Sequence, residues 1–260
     1  MDHRGYHMDY NAYIDKLQAE VDILKRISKF DDIKDRIYIR LMNPLINRKT
    51  IDQLESVPFL DLTVTFVLDM RCSEGSGSER QYNERAGNKK RDAEGGSMIR
   101  ITKNLAESWG VCGSELLKIA LENERRSTRF FSEELINTLK RMCRREPVLI
   151  EELNRMEAEN KGPDRLIIYA LYEESFINGS AALLRNEILR SVAEKAEGDI
   201  LIIPSSVNEL ICVADRPDMD FAWLRSVVEE VNDTVVPDDE ILSYSVYRYS
   251  VRDDCVSVAA

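Results

Sequence analysis

Between residues 9 and 29, apolar positions recur at spacings of three and four. Ile14, Leu17, Val21 and Leu24 share one face, and Asp15, Lys16, Glu20, Lys25 and Arg26 fall between them. That period predicts an amphipathic helix ahead of the main body, so the chain divides at the sequence level into a helix over 1–30 and one domain over 31–260. The period then drops to two. In DRIYIRLMN, Ile37, Ile39 and Leu41 alternate with Arg36, Tyr38 and Arg40, the mark of a half-buried strand. Asn43-Pro44 ends it, because proline has no N–H and restricts the residue before it. A short helix through Ile46, Ile51 and Leu54 is expected next. PFLDLTVTFVLDM alternates most cleanly, with Leu60, Leu62, Val64, Phe66 and Leu68 on one side and Asp61, Thr63, Thr65 and Asp69 on the other. It predicts one long strand.

The segment 72–97, CSEGSGSERQYNERAGNKKRDAEGGS, carries no apolar period and predicts a long flexible surface loop. Its GSGSER is not a dinucleotide loop, since the third glycine is missing and no helical pattern follows. Order resumes in MIRITKN, a short strand, with a turn at Trp109-Gly110. Ser114 is expected to cap a helix carrying Leu116, Leu117 and Ala120. Ser132, followed by Glu133 and Glu134, is expected to cap another carrying Leu135, Leu139 and Met142. LIIYALY reads as a buried strand. A helix carrying Leu184, Ile188 and Val192 should close at Gly198. DILIIPSSVNELICVAD reads as strand, corner, strand. Asp218 and Asp220 open a helix with Leu224, Val227, Val228 and Val231 at helical spacing, and SYSVYRYSV is a closing strand. Strands and helices mix without strict alternation, which favours α+β with a mixed or antiparallel sheet.

Composition narrows the chemistry. Of 260 residues, 36 are Lys or Arg and 47 are Asp or Glu, for a net charge of −11. This counts against nucleic acid and anionic membranes as partners of the whole surface. Five cysteines, widely spaced and without a CxxC, fit free thiols in a reducing compartment. With no secretory pattern at the start and no apolar run of about 18 residues, the expectation is a soluble cytoplasmic protein. Both histidines, His3 and His7, lie in the first seven residues. The expected folded body therefore lacks the parts of a Ser-His-Asp triad, a Cys-His pair or an HExxH zinc site.

Five segments together resemble a bacterial family of uncharacterised proteins, domain of unknown function 5688, found mostly in gut Firmicutes. They are LMNPLINRKTIDQLESVPFLDLTVTF, ITKNLAESWGVCGSELLKIALENERR, NGSAALL, DILIIPSSVNELICVAD and EEVNDTVVPDDEILSYSVYRY, spread over about residues 10–250. A second uncharacterised family, UPF0354, is similar more loosely. The resemblance implies an intracellular bacterial protein and brings no activity with it. Asn208 stands where the family pattern usually carries a histidine, and the 72–97 insert is longer and more polar than the pattern.

Candidate chemistry centres on the corner at 203–209. Ser205 and Ser206 lack the GxSxG elbow, a histidine base and a nearby SxxK, so a role in shaping the turn is expected. Ser205, Ser206, Asn208 and Glu209 form a candidate polar rim for a small ligand or a protein partner. The acids Asp215, Asp218 and Asp220, and Asp238, Asp239 and Glu240, are oxygen ligands by type, but the EF-hand pattern is absent and helix starts and turns account for them. Arg125, Arg126, Arg129, Lys140, Arg141, Arg144 and Arg145 are interleaved with acids and read as a solvated helical face. Cys112 and Cys212 are expected to be buried, and Trp109 and Trp223 to anchor the core. The sequence thus predicts a non-catalytic binding or regulatory protein with no catalytic residue, cofactor or metal assigned. The alternative is a metal-dependent carboxylate enzyme acting on phosphodiesters, and the weaker one is nucleic-acid binding through the 125–145 face.

Overall fold

A computed structural model describes residues 29–70, 98–162, 165–174, 178–204, 206–238 and 240–259. The helix expected over 9–29 falls outside these residues except for Lys29, and the loop expected over 72–97 falls outside them entirely. Strands β1 (Ile37–Met42), β2 (Ser56–Phe59), β3 (Leu62–Asp69) and β4 (Met98–Arg100) form one sheet, ordered β1-β3-β2 with β4 also on β3. The segment expected to be one long strand is in fact two. Leu60 takes a left-handed φ of 55°, so Leu60 and Asp61 form the tight turn of a hairpin. Alternation continued across that turn and hid it.

By internal packing the chain divides into two units, one of Met1–Ile39, Lys49–Val57 and Thr65–Glu124, the other of Arg40–Arg48, Pro58–Val64 and Arg125–Ala260. In the first, β4 runs antiparallel to β3 with Val67 opposite Arg100. Helix α3 (Lys103–Trp109) follows α1 (Phe30–Ile33) and α2 (Arg48–Ile51) in chain order. It begins where Thr102 Oγ1 accepts the Leu105 N–H at 3.2 Å and ends at Gly110, whose left-handed φ of 71° favours glycine. Helix α4 (Gly113–Ser127) is capped by the Glu115 carboxylate, which accepts the Cys112 N–H at 3.0 Å. Ser114 lies inside that helix and is not its cap. Near its far end, Asn123 Nδ2 donates to the carbonyls of Lys34 and Ile37, at 2.7 and 2.9 Å.

The second unit is built on a six-stranded antiparallel sheet. Its strands are β5 (Phe130–Glu134), β6 (Ile168–Glu173), β7 (Ile200–Ile203), β8 (Glu209–Ala214), β9 (Tyr247–Ser250) and β10 (Cys255–Val258), in the order β10-β9-β7-β8-β6-β5. Register assigns every side chain to a face, because successive residues alternate. Phe130, Ser132, Tyr169, Leu171, Glu173, Leu210, Cys212, Ile200, Ile202, Tyr247 and Tyr249 share the first face. A 3₁₀ helix (Gly179–Leu184) and α7 (Asn186–Lys195) cover it, with Tyr169 donating its hydroxyl to the Lys195 carbonyl at 3.1 Å. On the second face, Leu201 and Val213 pack with Leu224 and Val228 of α8 (Phe221–Thr234) and with Val246. At the other end of that face lie α5 (Leu135–Met142) and α6 (Pro147–Glu159). The architecture is α+β with antiparallel pairing, as the sequence predicts.

Several local expectations are corrected. Ser132 belongs to β5, and α5 starts only at Leu135; the pairing of Ser132 with Leu171 outweighs its value as a cap. The left-handed residue after α7 is Glu197, with φ 61°, not Gly198. Cys112 is exposed, because it sits in the turn before α4. Trp223 is 59% exposed in the first turn of α8, on the side away from Leu224 and Val228. Trp109 stacks obliquely on Phe30 with ring centres 5.5 Å apart.

Candidate binding site

The corner between β7 and β8 is held by its own backbone. Ser206 N–H donates to the Glu209 carbonyl at 3.3 Å, and Ser206 Oγ accepts the Asn208 N–H at 3.0 Å. Asn208 Nδ2 donates to Glu240 Oε2 at 3.2 Å, and Val207 N–H to the Glu240 carbonyl at 3.1 Å. Ser206, Asn208 and Glu209 lie together in this turn, with Glu240 joining them from 31 residues past Glu209. Ser205 lies outside the described residues.

A second segment completes the corner. Gly179 N–H donates to the Asn208 carbonyl at 3.1 Å, and Ser180 N–H to the Val207 carbonyl at 3.2 Å. The approach is so close that a Cβ on Gly179 would lie 2.1 Å from the Asn208 oxygen. NGSAALLR therefore lies directly against the corner, and Leu184, expected in the following helix, belongs instead to the 3₁₀ helix. Ser180 is fully buried, and its Oγ has no hydrogen-bond partner among the described residues. Arg185, which closes the segment, is 5% exposed. Its guanidinium lies 5.7 Å from the centre of the Phe130 ring, and Nε donates to Glu187 Oε1 at 2.5 Å. Arg185 Nη1 is buried without a partner among the described residues. Burial pushes the Glu187 carboxyl up, but bonds from Arg185 and its own N–H, with the charge of Arg125, hold it below its ordinary value. An arginine after two leucines in an apolar run was the available signal; its ring partner lies 55 residues upstream, where no local pattern points to it.

A different cluster lies on the second face. Glu133 Oε1 accepts from Arg141 Nη2 at 2.5 Å, from the Tyr172 hydroxyl at 2.6 Å and from Thr138 Oγ1 at 2.9 Å. The Arg141 bond, aided by those from Tyr172 and Thr138 against burial, holds the Glu133 carboxyl down at about 2. At the β9 end of the unit, Asp61 takes two hydroxyls, Tyr247 to Oδ1 and Ser243 to Oδ2, each at 2.6 Å. Burial, reinforced by Asp61, pushes the Tyr247 phenol well above its ordinary range.

Of the remaining acids, Asp220 and Asp215 are drawn into structural roles, and Asp239 lies outside the described residues. Asp220 Oδ1 caps α8, accepting from Ala222 and Trp223 N–H at 3.0 Å. Asp215 Oδ2 pairs with Arg248 Nη2 at 2.7 Å. Among the described residues, no three His, Cys, Asp or Glu side chains are grouped to hold a metal ion. Along the basic run, Arg125 meets Glu187 at 3.5 Å, Lys140 meets Glu157 at 2.8 Å and Arg141 meets Glu133, so its charge is spread over carboxylates. Among the described residues no helix is long and apolar enough to cross a membrane.

Fold and site together define an α+β protein with a built polar corner beside a buried arginine. The chain belongs to the family of unknown function DUF5688, which it matches over residues 88–251. No curated protein and no solved structure matches it.

Proposed function

We propose that this is a binding or regulatory protein of bacterial origin, acting in the cytoplasm, whose ligand is taken up at the corner formed by Ser206–Glu209, Glu240 and Gly179–Arg185. One observation carries the reading: two buried groups of that segment, Ser180 Oγ and Arg185 Nη1, have no partner among the described residues. Folded proteins pair nearly all buried polar atoms, so such groups mark places completed by water, an ion or a ligand. The Ser206 hydroxyl is already engaged by the Asn208 amide, which supports a shaping role over nucleophilic chemistry.

The test is a thermal-melt screen of small polar metabolites on the wild type and on Asn208→Ala. At least one compound should raise the melting temperature of the wild type and lose that effect in the variant, by linkage of binding to folding. A screen in which no compound distinguishes the two proteins would remove the reading.

A further inference from the structure

We infer that Arg185 and the first turn of α7 form a seat for a small oxyanion, the carboxylate or phosphate group of a ligand; this rests on the binding reading above and names the chemical class. Two independent features meet there. Helix α7 is ten residues long, and its first-turn amides receive no capping side chain from the N-cap position. Such an end offers N–H groups and a partial positive charge to an anion. The N-cap residue is Arg185, more than nine-tenths buried, with Nη1 unpartnered among the described residues. The guanidinium is folded back over that turn, because its Nε holds the carboxylate of Glu187, in the first turn, at 2.5 Å. Phe130 beneath it fixes the plane.

The Glu187 carboxylate shows what the seat accepts. It stands where an external oxyanion would, bonded to Arg185 and approached by Arg125 Nε at 3.5 Å. Yet its side chain is 48% exposed, so it can swing into solvent and release the Nε edge. An incoming oxyanion would then take that edge, with Nη1 and the Glu187 N–H, freed by the same swing, available to its other oxygens, while the Ile188 N–H stays on the Arg185 carbonyl at 2.8 Å. Glu173 faces the same side of the sheet, directly across from Phe130. Recognition therefore rests on aligned hydrogen bonds, not on a surplus of positive charge.

Thermal melts and isothermal titration with sodium phosphate and with sodium acetate, against sodium chloride at equal ionic strength, test this on the full chain. The wild type should gain a few degrees at anion concentrations about tenfold above Kd. Glu187→Gln removes the competing charge and should tighten binding about tenfold. Arg185→Gln should abolish the response; if that variant does not fold, Glu187→Gln decides, because it keeps the arginine. Response to phosphate alone assigns a phosphate group, and response to both anions assigns a seat that also takes carboxylates. No response in either the wild type or Glu187→Gln overturns the proposal. If a neutral compound still separates wild type from Asn208→Ala, the oxyanion assignment falls and the binding reading stands.

Discussion

Two charged clusters lie on opposite faces of the same strand pair, β5 and β6, and they are finished differently. On the second face, Glu133 receives bonds from Arg141, Tyr172 and Thr138, and the cluster closes on itself. On the first face, Arg185 reaches only one carboxylate and leaves Nη1 buried and unmatched among the described residues. The closed cluster borders solvent through both partners, with Arg141 49% and Glu133 28% exposed, while the arginine of the open one is buried. Burial raises the cost of an unmatched donor, so the imbalance is the opposite of what stability alone would select. A network that satisfies itself holds strands together. One that does not is where a ligand can gain energy the fold has left unused.

The largest expected effect strikes the backbone of the open side. Gly179→Ala would set a Cβ 2.1 Å from the Asn208 oxygen and 2.9 Å from its carbon, both backbone atoms that cannot turn aside. The corner must move or the chain must fail to fold, with a loss above about 3 kcal/mol in denaturant unfolding. A variant as stable as the wild type would show that the NGSAALLR segment does not lie against the corner.

Next in size is the chemical shielding of the first face. Cys212 points into that face from β8, is fully buried, and has its thiol pushed up by burial to about 12. Cys112 and Cys255 are exposed. A thiol reagent at pH 8 should modify those two at least about a hundredfold faster than Cys212, which reacts only when the cover of 3₁₀ helix and α7 opens. Fast labelling of Cys212 would mean the first face is not sealed, and the contrast between the faces would weaken.

The closed cluster should act through pH. The Glu133 carboxyl is lowered from 4.5 to about 2, so its contribution is fully present above the unfolded value and is lost as pH falls from 4.5 toward 2. Solvent screening on this partly exposed pair leaves about 1 kcal/mol. Glu133→Gln should lose that amount at neutral pH and flatten the acid limb of stability between those values. An unchanged acid limb would show that the cluster contributes nothing to folding.

The fold was legible where period and position coincide. The strands around Ile37 and Tyr247, and the helix of Leu224 and Val228, follow from alternation or helical spacing. What escaped were breaks that leave the period intact. Leu60 and Asp61 continue the alternation of their neighbours while turning the chain. Ser132 with two acids carries every sign of a cap, yet its place opposite Leu171 decides for a strand. The site was half legible: the corner could be read from Pro-Ser-Ser and Asn-Glu, since turn chemistry is local. Arg185 could not, because its meaning depends on Phe130 and on an unfilled hydrogen bond, and neither is written near it in the chain.

The smallest effect separates shaping from chemistry at the corner itself. Ser206 Oγ accepts the Asn208 N–H at 3.0 Å, and Ser206→Ala would leave that amide, which is partly buried, without its partner. The loss should be about 0.5–1.5 kcal/mol. It should leave the phosphate and acetate responses largely intact, because the Ser206 hydroxyl shapes the turn by accepting the Asn208 N–H. A fluorophosphonate at neutral pH should label neither Ser206 nor its neighbour Ser205. Covalent attachment at Ser206 would require its oxygen to be a nucleophile as well as an acceptor, and the corner would then belong to a hydrolase. The same variant thus asks both questions: a small stability loss with intact anion binding fits a turn residue, whereas loss of binding with no loss of stability would make the Ser206 hydroxyl a direct ligand contact.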